Sequence, residues 1–268
     1  MAGGYAWRIF GSMSILLTSV CDGIGTITMN RGEKRNALST ELIAALHGAV
    51  DQMRDDSSVK VIVLRAEGPA FCAGADLGYL QRISELSPLE NVDDSTSLKN
   101  MFQAIVDCPK PVVAMVHGPA IAGGCGLATV CDVVVAARSS SVFGYSEVRI
   151  GFVPAIVLVY LVRKIGDTRA RRLLLTAENI GAEEALRLGM VSYVVDDEVL
   201  EEETMRIAGK MARNSASAMG MTKSMLNAVH GMSLDAGLHY ATVMNAMARQ
   251  TEDFRAGIAS FLSSTKDS

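Results

Sequence analysis

Ala120-Ile-Ala-Gly-Gly-Cys-Gly-Leu-Ala-Thr-Val-Cys-Asp132 decides how this chain is read. The small residues Ala122-Gly123-Gly124 open what the pattern predicts as a buried helix. The first N–H groups of a helix have no intrahelical acceptor, so they can hold negative charge that grows on an oxygen. A strand signal, Val112, Val113 and Val116, lies just upstream, and Asp132-Val-Val-Val-Ala136 supplies another just downstream. Apolar runs without alternation predict strands covered on both faces, as in α/β folds.

Pro111 to Cys131 contains no Asp, Glu, Lys or Arg, and about 20 such residues could span a bilayer. Pro111, Gly118, Pro119, Gly123, Gly124 and Gly126 interrupt the run. It therefore reads as strand, turn and buried helix, with no membrane partner.

Outward from this stretch, Ile15 to Val20 and Ile24 to Met29 read as strands, as does Val59 to Leu64. Ser39 can cap a helix to Met53, since Leu42, Ile43, Leu46 and Val50 share one face. Residues 79 to 100 are polar and uneven, which predicts a mobile segment over a site. The second half reads as helices over 167–175, 181–189, 198–213, 218–229, 234–249 and 253–262. Met225, Met232, Met244 and Met247 are expected in the core or at a subunit contact. Residues 1–13 are expected to be a loose tail without a secretory signal.

The chain has 268 residues, 49% of them hydrophobic and 20% charged, which suits a large folded core. Its net charge of −4 argues against nucleic acid as a partner. Arg169, Arg171 and Arg172 read as a solvated helix face. Five cysteines without CxxC spacing and four scattered histidines give no disulfide framework and no metal site. A reduced, cytoplasmic compartment fits.

The glycines near Gly123 invite a nucleotide-binding reading, but Leu127, Ala128 and Thr129 follow Gly126, so the last glycine of GxGxxG is missing. A second small-residue turn, Phe71-Cys-Ala-Gly-Ala-Asp-Leu77, lets backbone N–H groups meet a ligand directly. If the Ala75 and Gly123 N–H groups converge, they make a two-donor hole in which each donor is worth about 3 kcal/mol. Glu147 is the candidate proton carrier, and the competing reading pairs it on the surface with Arg149. Asp76 reads as a helix cap, Asp132 as structural and Cys125 as packing.

From Ile15 to Leu262 the chain resembles the crotonase, or enoyl-CoA hydratase/isomerase, family. The carriers are Met29-Asn-Arg-Gly-Glu-Lys-Arg-Asn-Ala-Leu38, the 71–77 and 117–127 turns, Phe143-Gly-Tyr-Ser-Glu-Val148 and Ala182-Glu-Glu-Ala-Leu-Arg-Leu-Gly-Met190. The resemblance implies an α/β crotonase-like ββα spiral core over 14–200. It implies a helical oligomerisation region over 201–268, in homotrimers or dimers of trimers. Acyl-CoA thioester substrates are implied, with no metal or separate cofactor. On matching positions Ala75, Gly123 and Glu147 would be catalytic. Lys34, Arg35, Ala37, Ala73, Asp76, Leu77, Gly124 and Tyr145 would bind substrate. Phe261 and Lys266 would reach a neighbouring subunit's CoA.

The chain departs from the family at one catalytic position. Hydratases of this kind carry a second glutamate where Gly126 stands. Glu85, Glu90, Tyr145 or a substrate carboxylate are the candidate substitutes. The leading expectation is an enoyl-CoA hydratase-type lyase working with one glutamate. The alternatives are a Δ3,Δ2-enoyl-CoA isomerase, a thioester hydrolase and a non-catalytic acyl-CoA-binding homologue.

Overall fold

Asp22-Gly23 sets the first register. Their φ values of +50° and +79° form the two-residue turn whose twist suits a β-hairpin. The turn joins β1 (Leu16–Cys21) to antiparallel β2 (Ile24–Met29), with Cys21 opposite Ile24. The computed structural model describes residues 14–264. The tail expected over 1–13 and Lys266 lie outside the described residues.

From β2 onward the main sheet is parallel. It runs β1-β2-β3-β4-β6-β9, with β3 at Val61–Ala66, β4 at Val112–Val116, β6 at Val133–Ala137 and β9 at Tyr193–Val195. Alternate side chains point to opposite faces of a strand. Ile62, Leu64, Ala114 and Val134 enter one core, with α1 (Thr40–Asp55), α3 (Pro88–Asp107), α4 (Gly123–Val130), α5 (Ala155–Ile165), α6 (Asp167–Thr176) and α7 (Ala182–Leu188). Val61, Val63, Val113 and Val135 enter a second core against Leu200, Ile207 and Ala208 of α8 (Leu200–Ala212). The expected two-sided burial of the strands is therefore present.

A second sheet, β5 (Ala120–Ile121), β7 (Val142–Gly144) and β8 (Asn179–Gly181), was not foreseen. Its strands are two or three residues long, too short to show a period.

The Ser39 hydroxyl accepts from the Leu42 N–H and caps α1 as expected. The uneven segment over 79–100, expected to be mobile, is largely helical. It folds as α2 (Leu77–Ile83) and α3, the latter started by a reciprocal Ser87–Glu90 capping box with Pro88 in its first turn. Only Met101, Phe102 and Ile105 of α3 are buried, so its first turns show no apolar stripe to read.

α9 (Ala216–Val229), α10 (Leu234–Ala248) and α11 (Glu252–Ser264) follow the expected spans. They leave Leu226, Leu234, Leu238 and Phe254 exposed. Met225, Met232, Met244 and Met247 are not in this chain's core. Arg171 and Arg172 pair with Asp167, Glu178 and Glu184, which accounts for the basic cluster. Among the described residues no helix is long and apolar enough to cross a membrane.

Candidate active site

Four segments lie side by side and bring the sequence-predicted residues together. Leu38 donates its N–H to Gly74 O (2.7 Å) and accepts from the Asp76 N–H (3.0 Å). In this parallel bridge Ala75 is the residue opposite Leu38, so its own N–H and C=O turn away from Leu38. Cys72 donates to Pro119 O and accepts from the Ile121 N–H, joining that turn to β5. Ile121 pairs with Gly144, and the Ala122 N–H donates to Gly144 O (2.7 Å). Glu147 follows Gly144 by three residues.

Two glycines allow the turns to touch. A β-carbon at Gly74, whose φ is +88°, would lie 2.9 Å from Ile121 O and 3.0 Å from Ala122 Cβ. One at Gly124 would overlap the Cys72 carbonyl oxygen. Ala122 sits at φ +51°, ψ −124°, a strained conformation for a residue with a β-carbon, costing about 1–3 kcal/mol. That strain buys the sharp entry into α4. Neither the Ala75 N–H nor the Gly123 N–H donates to a protein acceptor among the described residues.

A buried side chain braces the outer loop. Asn36 is fully buried, with φ +51°. Its amide donates to Glu67 O (2.7 Å) and Ala70 O (2.9 Å), and its Oδ1 accepts from the Arg31 N–H (2.8 Å). Arg31 Nη1 donates to Ala37 O and to the Ser39 hydroxyl. Arg35 O accepts from the Ala73 N–H. Ala37 is buried, whereas the Lys34 and Arg35 side chains are exposed and have no ion-pair partner among the described residues. Asp76 caps α2 by accepting from the Gly78 N–H (2.9 Å), as the sequence suggested. Leu77 opens α2. Asn36 was missed as a brace, although its place in a tight polar turn was a usable signal.

Glu147 starts a 3-10 turn, Glu147–Ile150, and is 8% exposed. Its Oε2 is buried with no hydrogen-bond partner among the described residues. Burial pushes its carboxyl pKa above the ordinary value, against the smaller opposing effect of its own backbone N–H. Arg149 does not pair with it; its guanidinium donates to Ala177 O instead. The surface ion-pair reading of Glu147 is thereby overturned.

Gly126 faces α5. A β-carbon there would overlap Val157 Cγ1 and lie 3.4 Å from Phe102 Cε2. Val157 and Phe102 are both buried. The place where a longer side chain at 126 would start is thus filled with hydrocarbon, and Val157 was not foreseen in that role. Two candidate substitutes are otherwise engaged. Glu90 accepts from the Ser87 N–H and hydroxyl, and Tyr145 is wholly buried with its hydroxyl on Thr129 (2.8 Å). Cys125 is buried beside them, and desolvation raises its thiol to about 12. It is an inert packing residue, as expected.

A family model described as enoyl-CoA hydratase/isomerase matches residues 20–267. The chain belongs to the enoyl-CoA hydratase/isomerase family. It is 42% identical over 238 residues to a Thermus thermophilus protein named "Putative enoyl-CoA hydratase", covering 89% of this chain and 94% of that one. It is 30% identical over 253 residues to the 1,2-epoxyphenylacetyl-CoA isomerase of Escherichia coli, covering 93% and 96%. A solved enoyl-CoA hydratase of Mycobacterium smegmatis superposes with a TM-score of 0.89 at 31% identity, covering 94% of this chain and 97% of that one. The α/β crotonase fold expected from the resemblance, with its helical C-terminal region, is therefore the fold of this enzyme. Both hydratases and isomerases stand among its relatives, so family membership by itself leaves the reaction open between them.

Proposed function

We propose that this enzyme is an enoyl-CoA hydratase-type lyase that works with a single carboxylate. The supporting observation is the buried Glu147 carboxyl, with an unpartnered oxygen, three residues past the end of the strand that anchors Ala122. In this reading the Ala75 and Gly123 N–H groups bind the thioester oxygen as negative charge develops on it. Glu147 takes a proton from water as the oxygen adds to C3 and returns it to C2 on the same face. Lys34 and Arg35 meet the CoA phosphates. Ala37, Ala73, Asp76, Leu77 and Gly124 line the path from those phosphates to the thioester. Tyr145, wholly buried with its hydroxyl on Thr129, ties the segment that carries Glu147 to α4 rather than touching substrate. The exposed apolar faces of α9–α11 serve subunit contacts in a homotrimer or dimer of trimers. No cofactor beyond the CoA of the substrate takes part.

Isomerisation of a 3-enoyl thioester is the second reading, favoured by the hydrocarbon filling at Gly126. A double-bond shift needs one proton shuttle and no second group to hold water.

The test is a panel of 2-enoyl-CoA and 3-enoyl-CoA substrates followed by the near-ultraviolet absorbance of the conjugated thioester. Hydration lowers the absorbance of 2-enoyl-CoA, and isomerisation raises that of 3-enoyl-CoA. A panel in which neither changes, with no hydroxyacyl product by mass spectrometry, overturns both readings.

A further inference from the structure

A cavity of about 870 Å³ lies under the far end of α4, between α3, α5 and α9. It is separate from the Glu147 site. Phe102, which faces Gly126, stands edge-on to Tyr160 with ring centroids 6.2 Å apart, and Tyr160 lines the cavity.

The charges around this cavity do not balance. Its carboxylates are used within the protein. Asp132 Oδ2 accepts from Lys223 Nζ and from the Val112 N–H, both at 2.7 Å. Lys223 is completed by Ile105 O and Lys110 O. Asp107 accepts from Gln103 Nε2 (2.8 Å). The three cations Lys223, Arg163 and Lys164 outnumber these two carboxylates by one, and the two on α5 are those without a carboxylate bond among the described residues. Lys164 Nζ donates to Thr129 O and Cys131 O, each at 2.8 Å. An ammonium has three N–H donors, and the third finds no acceptor among the described residues. Neither Lys164 nor Arg163 has a carboxylate partner among them. Burial pushes the Lys164 pKa down, against the smaller opposing effect of nearby charge, Asp132 included. Val106, Val130 and Ala228 supply apolar wall beside these cations.

We propose that this cavity binds a small amphipathic carboxylate, its anionic end on Lys164 and Arg163 and its aliphatic body against Val106, Val130 and Tyr160. A neutral ligand would leave the cations uncompensated, and a bare inorganic anion would leave the apolar wall wet. The ligand need not be a thioester, so this site stands whichever reaction Glu147 performs.

Calorimetric titration of the full-length protein with hexanoate tests this, with inorganic phosphate and hexanol as separate arms. Hexanoate is expected to saturate one site per chain, and phosphate and hexanol to bind at least about tenfold more weakly, the loss of one charged or apolar anchor. Arg163→Ala and Lys164→Met should each weaken hexanoate by about tenfold. Glu147→Gln and saturating CoA should leave its affinity unchanged. In the unsubstituted protein, hexanoate should slow acetic-anhydride labelling of Lys164 as read by mass spectrometry, a readout independent of whether any variant folds. No saturable binding, displacement by CoA, equal affinity in Arg163→Ala, phosphate binding as tightly as hexanoate, or an unprotected Lys164 would each overturn the proposal.

Discussion

Gly126→Ala, Val157→Ala and their double variant form a cycle that tests whether Val157 closes position 126 to a longer side chain. An added methyl at 126 would lie 2.2 Å from Val157 Cγ1, an overlap at the upper end of overpacking costs, about 2–3 kcal/mol. Alanine regains about 1 kcal/mol over glycine inside a helix, so the net loss is about 1–2 kcal/mol. Val157 is 3% exposed. Truncating it removes two carbons, about 1.6 kcal/mol of burial plus a small cavity term, or about 2 kcal/mol in all. Independent effects would sum to about 3–4 kcal/mol. In the double variant the new methyl fills part of the vacated space and the helix gain persists. Its loss should be only about 1–2 kcal/mol, a coupling of about 2 kcal/mol. Urea midpoints with a shared slope measure all three. Additivity within about 0.5 kcal/mol would show that Val157 does not close this position, and the steric account of Gly126 would fail.

Other outcomes follow from the same geometry. Burial raises the folded pKa of Glu147 above its ordinary 4.5, so the folded state holds this proton more tightly than the unfolded state. Stability from this group is then present below about pH 4.5 and is lost as pH rises toward the raised value. Glu147→Gln should therefore match the unsubstituted protein at low pH and melt at higher temperature near neutrality; a gap that narrows with rising pH contradicts this. Asn36→Ala leaves two carbonyls and one N–H without partners and should lose about 3 kcal/mol in urea, against under 1 kcal/mol if the brace is unimportant. Of the five cysteines only Cys21 is exposed, so iodoacetamide should label one thiol per native chain, and rapid labelling of Cys125 would show an opened core.

Much of the fold was legible because strong periods coincide with caps. Ser39 before Leu42, Ile43 and Leu46 gives α1, and the valines of 112–116 and 133–135 give buried parallel strands. α5 was harder. Its buried Val157, Leu161 and Ile165 recur every four residues, but exposed Leu158 and Val159 hide that period in a uniformly apolar run. α3 was masked for the opposite reason, since its first turns meet solvent on every side. Sequence suggested which turns matter, through Gly74, Gly123 and Gly124. It could not show that Gly74 and Gly124 bring those turns into contact, because that contact joins residues about fifty positions apart. The filling of the Gly126 site by Val157 was invisible for the same reason.

The most direct test of the central claim is single-turnover kinetics of Glu147→Gln, with acyl-CoA affinity measured alongside. The one-glutamate account predicts a rate loss of at least about a thousandfold, with affinity held within a few-fold because the Ala75 and Gly123 N–H groups are untouched. An unchanged rate, or a loss explained wholly by weaker binding, would contradict it.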